Sequence, residues 1–351
     1  MAKLNEGDVI EGIFTIALAL YIAYGKVEKT ELNRIRTQID TKMFSTGRFK
    51  YTVVESLMKQ RGKNPPDFFN VGFEMRLKPE SIVGAYGKDY AVMYKSMKDV
   101  GNIDKKIDRL IEAINTASFS KRVVDAVDHF LNNNIGEIVH FNVIADGIAG
   151  ESSGGALKGD VTLEVHATKK GGGTERVISG QLPFSLKSES VTVANLSPFN
   201  GMLDIAKAMD IKWDAEKKYS RLAKPFKGPV EQAAKFELIE SMYSDLKKNI
   251  IIKSKSPAFS SNAYTFLEKS IFGSDLADVI DVTKGGVKEI TKKYFDTLKK
   301  NVKLDVLAKG NNLVFIDSKT KTPIFQIRTK LRKEANEAKF YLEVGKGLYS
   351  K

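Results

Sequence analysis

Residues 158 to 187 read KGDVTLEVHATKKGGGTERVISGQLPFSLK, and their period of two constrains the fold more tightly than any other part of the chain. Alternation puts Asp160, Thr162, Glu164 and His166 on one strand face and Val161, Leu163 and Val165 on the other. The glycine-rich stretch Lys170 to Thr174 predicts a turn, after which a second strand from about Glu175 to Lys187 runs back towards Asp160. With an odd-numbered partner opposite Asp160, Ser185 and Lys187 share its face, because opposed residues project the same way. The expected result is an acid beside a lysine at the open end of a hairpin, a pair suited to metal-dependent hydrolysis.

Around this hairpin the apolar pattern alternates between helical and extended periods. Val9 to Tyr24 is an apolar run of about 16 residues; a D-x-x-E capping signature, Asp8 and Glu11, opens it and Gly25 closes it. It is short for a membrane span, carries Glu11 and lacks a basic leader, so it predicts a buried helix. A polar helix follows over Lys29 to Asp40; the spacing in Phe49 to Gln60 continues helically, GKNPPD turns, and Phe69 to Lys78 alternates as a strand. Residues 80 to 133 read as several helices, with apolar positions three and four apart. Glu137 to Ala145, Gly159 to Thr168 and Arg176 to Lys187 then predict three consecutive strands. Beyond Ser197-Pro198 come a helix over Asn200 to Met209, a break at LAKPFKGP, a helix over Glu231 to Lys248 and a short strand over Ile250 to Lys253. Ser261 to Lys300 reads as mostly helical, interrupted at Gly285-Gly286, and the C-terminus as a hairpin-like pair with a last strand, KFYLEVG. The class is mixed α+β. At 351 residues two joined parts are expected: a core over 1–225, holding a helix at 8–24, a helical insertion over about 26–133 and strands with a helix over 136–210, and a helical and β lobe over 226–351.

Lys and Arg outnumber Asp and Glu by 56 to 43, and the net charge of +13 favours a polyanionic partner, nucleic acid before an anionic membrane surface. Cysteine is absent, which excludes disulfides and thiolate metal sites and is the usage of a reducing, cytoplasmic compartment. A metal would therefore be held by oxygen or imidazole. His129, His140 and His166 have no ligand spacing and read as packed or solvated. KKGGGT lacks the order of a phosphate loop, and there is no nucleophile elbow. Trp213, Tyr219 and Phe226 are of a type that stacks on bases, although a lone Trp in a chain of this length is more often core. The lysine pairs at 247, 292 and 299 read as solvated helix faces.

An opening helix with Glu11, three strands with Asp160 on the second and Lys187 ending the third, and a helix after them, together resemble the core of the PD-(D/E)XK phosphodiesterase superfamily, the restriction-endonuclease-like fold. The resemblance covers roughly residues 5 to 24 and 136 to 210. It implies a sheet flanked by helices, with Glu11 and Asp160 as ligands of Mg²⁺, for which Mn²⁺ may stand in, and Asp160, Ser185 and Lys187 at the reacting phosphate. The superfamily carries Glu or Asp where this chain has Ser185, so Gln181, Glu164 and Glu189 become candidates for the missing oxygen. The segment from Ile324 to Gly345 resembles the closing part of several such endonucleases, which implies DNA contacts from Gln326, Arg328 and Lys330. The expected activity is Mg²⁺-dependent DNA cleavage, restriction-like or phage-associated, with a homodimer where both strands are cut. A second reading is an inactive nucleic-acid-binding or phage structural protein that kept the fold. A third, an assembly protein in which the SLK match is accidental, requires Asp160 and Lys187 to lie far apart.

Overall fold

A computed structural model describes residues 6–39, 48–59, 67–76, 103–146, 160–178, 182–187, 192–273, 278–281, 288–332 and 337–349. The class is mixed α+β, as the alternating periods predict. The chain divides into two units, one of residues 1–189 with 274–288 and the other of 190–273 with 289–351.

In the first unit, helix α1 (Glu6–Tyr24) is the core element. Val9, Ile13, Phe14, Ala17 and Leu18 are wholly buried, so the helix is enclosed on every side, as a uniformly apolar helix must be. The helix begins at Glu6, so Asp8 lies inside it and not at its N-cap position. At the other end Gly25, with φ 72°, donates its amide to the Tyr21 carbonyl in the expected left-handed cap. After α2 (Lys29–Thr37), β1 (Arg48–Lys59) and β2 (Asp67–Arg76) pair antiparallel. Phe49 to Gln60 was expected to be helical; its described part, Phe49–Lys59, is a strand with two register shifts, and Gln60 lies outside the described residues. Two helices, α3 (Ile103–Asn115) and α4 (Ala117–Asn133), occupy the later part of the region expected to be helical.

The three predicted strands follow as β3 (Glu137–Asp146), β4 (Val161–Lys169) and the returning stretch β5 (Arg176–Val177) with β6 (Leu182–Lys187), both paired to β4. Gly171, Gly172 and Gly173 all have positive φ in the turn between them, a path only glycine takes without strain. The sheet order is β1-β2-β3-β4-β6, with β2 parallel to β3, so the stretch expected as a helical insertion adds two strands to the same sheet. Next to β6 lies β8 (Asp278–Asp281), parallel to it, where a helix was expected; β9 (Lys288–Ile290) follows β8 in the order. One face of the sheet, with Val71, Phe73, Val139, Phe141, Val161, Leu163 and Phe184, is in the core with α1. The opposite face carries Glu74, Arg76, His140, Asn142, Glu164 and His166 by alternation.

The second unit is built on a five-stranded antiparallel sheet in the order β10-β11-β12-β13-β7, where β7 is Thr192–Leu196, β10 Leu304–Lys309, β11 Asn312–Asp317, β12 Pro323–Arg332 and β13 Glu337–Val344. Its helices are α5 (Asn200–Ala208), the single turn α6 (Ala215–Lys218), α7 (Gly228–Lys253), α8 (Phe259–Phe272) and α9 (Lys292–Asn301). Ile250 to Lys253, expected as a strand, is the last turn of α7.

Candidate active site at the end of β4 and β6

Asp160 and Lys187 are neighbours, whereas the third reading expected them far apart. The Asp160 amide donates to the Phe184 carbonyl at 2.7 Å, fixing the residue at the mouth of the β4–β6 ladder. One carboxylate oxygen of Asp160, Oδ2, then collects two hydrogen bonds and an ion-pair contact. It accepts from the Ser185 hydroxyl at 3.0 Å and the Leu186 backbone amide at 2.8 Å, and Lys187 Nζ stands 4.0 Å away. The strand forms here because Val161 and Phe184 are opposed on the buried face; alternation then turns Ser185 and Lys187 to the other side. Ser185 is buried, while the Asp160 and Lys187 side chains keep 30% and 24% of their surface open, enough for a ligand to reach them.

The strand β6 is held from behind by aromatic rings. Phe184 meets Phe14 of α1 at 6.0 Å and Phe119 of α4 at 5.2 Å, and Phe14 meets Phe119 edge-on at 5.9 Å. Glu11 lies one helical turn before Phe14, half-buried, with its carbonyl accepting the Thr15 hydroxyl at 2.8 Å. Glu11 is therefore on the helix that backs β6. Among the described residues no group of three or more Asp, Glu or His side chains converges as a metal cage. Mg²⁺ does not need one, since it is commonly held by one or two carboxylates with water and substrate phosphate completing its shell. Asp160 is such a carboxylate beside the lysine; Glu11, expected as the second ligand, is on α1, which packs against the opposite face of the sheet.

Of the residues considered in place of an acid at 185, Gln181 and Glu189 lie outside the described residues. Glu164 does not serve: it sits four residues along β4 from Asp160, about 13 Å at strand rise, and is engaged by His166 at 3.1 Å and Arg76 at 3.9 Å. Sequence reading missed Asp281. In the parallel β6–β8 pair it stands opposite Lys187 and is 2% exposed, so a buried carboxylate adjoins the lysine on the side away from Asp160. The four-residue run DVID was the only local signal for its strand.

The three histidines are not a metal site by spacing, yet two of them are neighbours. His140 and His166 face each other across β3 and β4. His140 is bonded to Asn70 at 3.1 Å and Thr168 at 3.2 Å, and His166 lies 3.7 Å from Glu175. They line a cleft of about 440 Å³ with Gly72 at its floor. On the same face Glu74, 2% exposed, is ringed by Arg76 at 3.0 Å, Lys50 at 3.6 Å and Arg48 at 3.7 Å. Burial would raise its pKa, but the Arg76 hydrogen bond and the three cations outweigh burial and hold it below the usual glutamate range.

Gln326, Arg328 and Lys330 are on β12 in the second unit. Two of the three are engaged within their own sheet: Glu343 accepts from Gln326 at 2.8 Å and from Arg328 Nε at 2.7 Å, with the Arg328 guanidinium 4.9 Å over the Tyr341 ring. A phosphate there would have to displace Glu343. Among the described residues no helix is long and apolar enough to cross a membrane. Comparisons of the chain with protein-family models, with curated proteins and with solved structures found no match.

Proposed function

We propose that the chain is a Mg²⁺-dependent DNA endonuclease of the PD-(D/E)XK type, acting through Asp160, Ser185 and Lys187. The observation that carries this reading is the convergence of Ser185 Oγ, Leu186 N and Lys187 Nζ on one oxygen of Asp160. Two hydrogen bonds to one oxygen orient the Asp160 carboxylate at little entropic cost. Mg²⁺ at Asp160 would lower the pKa of a bound water and offset phosphate charge. Lys187, on the same face, is placed to stabilise negative charge growing on the reacting phosphate. The charge of +13 supports a DNA partner by counterion release.

Supercoiled plasmid incubated with the protein and Mg²⁺ or Mn²⁺ tests the reading. Nicking or linearisation is expected, with Asp160→Asn and Lys187→Ala each lowering the rate by about a hundredfold or more. Intact plasmid at high protein concentration, or cleavage indifferent to both substitutions, refutes it. The second reading, an inactive nucleic-acid-binding protein, draws on one observation: Ser185 supplies no carboxylate, and its hydroxyl is already given to Asp160. It predicts salt-dependent DNA retention without cleavage and no Mg²⁺ binding heat.

A further inference from the structure

Residues 212 to 235 of the second unit hold seven Lys and Arg against three acids, with Trp213 and Phe226 set between them. Lys217, Lys224 and Lys227 are exposed and make no ion pair among the described residues. Both aromatic rings are half-buried, so each keeps an accessible part. Trp213 stands beside the buried Tyr219, ring centroids 6.1 Å apart, and borders a cleft of about 590 Å³ shared with Lys217, Lys218, Asp245 and Asn249. The Arg221 guanidinium lies over the Phe226 ring at 4.0 Å, and Lys235 Nζ is 5.7 Å from it. The loop that presents Phe226 is fixed in place: Arg221 donates to the Pro225 carbonyl at 2.9 Å, Gln232 to the Phe226 carbonyl at 3.1 Å, and the Lys227 amide to Glu231 at 2.5 Å. Tyr219 is anchored through its hydroxyl to Asp245 at 2.6 Å.

We infer that this surface binds single-stranded nucleic acid, the lysines following the phosphates and Trp213 and the Arg221–Phe226 stack receiving bases. The chemistry selects this partner over a duplex or a lipid surface. Partly buried rings beside unpaired cations offer π-faces at backbone-tracking distance, which unstacked bases can use and paired bases cannot. A lipid surface would call for several protruding apolar side chains; in this stretch Val230, 84% exposed, stands out by itself, and each ring is seated in the protein. The inference does not depend on the nuclease reading, since it concerns other residues and needs no metal.

Trp213 is the chain's sole tryptophan, so its emission reports this surface alone. The full chain, in EDTA, is titrated with oligothymidylate. Saturable quenching is expected, weakening with salt, and it should persist in the Asp160→Asn variant. Reversing the charge at Lys217, Lys224 and Lys227 should reduce the salt slope by about 2, since single strands give about 0.7 per phosphate contact. Phe226→Ala should weaken binding about tenfold or more, and Phe226→Tyr should restore it while circular dichroism stays unchanged in both. No quenching, equal quenching by a blunt duplex or by anionic phosphatidylserine vesicles, or binding indifferent to Phe226 each overturns the inference. Plasmid cleavage without quenching overturns it and leaves the nuclease reading intact.

Discussion

Two hydrogen bonds to Asp160 come from protein groups that cannot move far, a backbone amide and a buried hydroxyl, whereas the lysine at 4.0 Å is flexible. The carboxylate is therefore positioned by the fold, while the ammonium keeps the freedom to adjust. Glu74 shows the opposite economy on the same sheet face, a buried acid surrounded by three cations and wholly structural. Because its pKa is depressed in the folded chain, Glu74 contributes stability that is present above the ordinary glutamate pKa and is lost as pH falls through its folded value. Glu74→Gln should cost about 3 kcal/mol at about pH 7, since three cations lose their anion. The deficit should shrink as the wild type is acidified below the ordinary glutamate range to a pH under its depressed folded value, where the wild-type acid becomes neutral as well. Urea titrations of both chains at the two pH values check this, and a pH-independent difference contradicts it. The acid and lysine of the candidate site were legible in the sequence because period-two alternation ties residues 160, 185 and 187 to one face. Asp281 was not, because the register of a parallel strand some ninety residues away leaves no local mark.

At the scale of elements, β6 is only as well placed as the ring cluster behind it. Phe184 is wholly buried and contacts both α1 and α4, while its neighbours Ser185 and Lys187 face the site. Phe184→Ala should cost about 3 to 5 kcal/mol through the cavity it leaves. In chain that still folds, it should lower turnover of plasmid, because a shift of β6 moves both the hydroxyl and the lysine against Asp160. Phe184→Leu, which fills most of the space, should recover much of the stability and turnover; denaturant midpoints alongside cleavage rates separate the two effects. The elements misread from sequence have identifiable causes. In β1 the register shifts between Thr52 and Val54 and between Val54 and Leu57, and Ser56 has φ 54°, so the bulges break the alternation and imitate helical spacing. In β8 the run Val279-Ile280 is buried on both sides of the strand, and a short continuous apolar run has no period that distinguishes strand from helix. Ile250 to Ile252 have strand propensity, yet buried Ile250 keeps the last turn of α7 in place while Ile252 is 71% exposed.

For the molecule as a whole, the informative fact is that the first unit is not contiguous. Its sheet runs through β6 by residue 187, but the strand that covers the outer edge of β6 comes only at Asp278–Asp281, after the intervening chain has supplied β7 and the helices α5 to α8 of the second unit. Until β8 arrives, Phe184 to Lys187 present unpaired amides and carbonyls, and an uncovered apolar edge recruits strands from other chains. Pairing at such separation also carries a loop-closure cost that must be met before the contact rewards it. A chain cut after residue 189 should therefore associate or precipitate, because β6 has lost its partner, and it should show no plasmid cleavage. A chain cut after residue 288 keeps β8 and its Lys187–Asp281 register, and Arg122 of α4 can still pair with Asp278. Its sheet edge is covered, so it should associate less than the shorter chain even though the second unit is incomplete. Sedimentation velocity on the two chains decides the matter: a monomeric, folded 1–189 would mean that β8 is dispensable and that β4 and β6 hold the site without it.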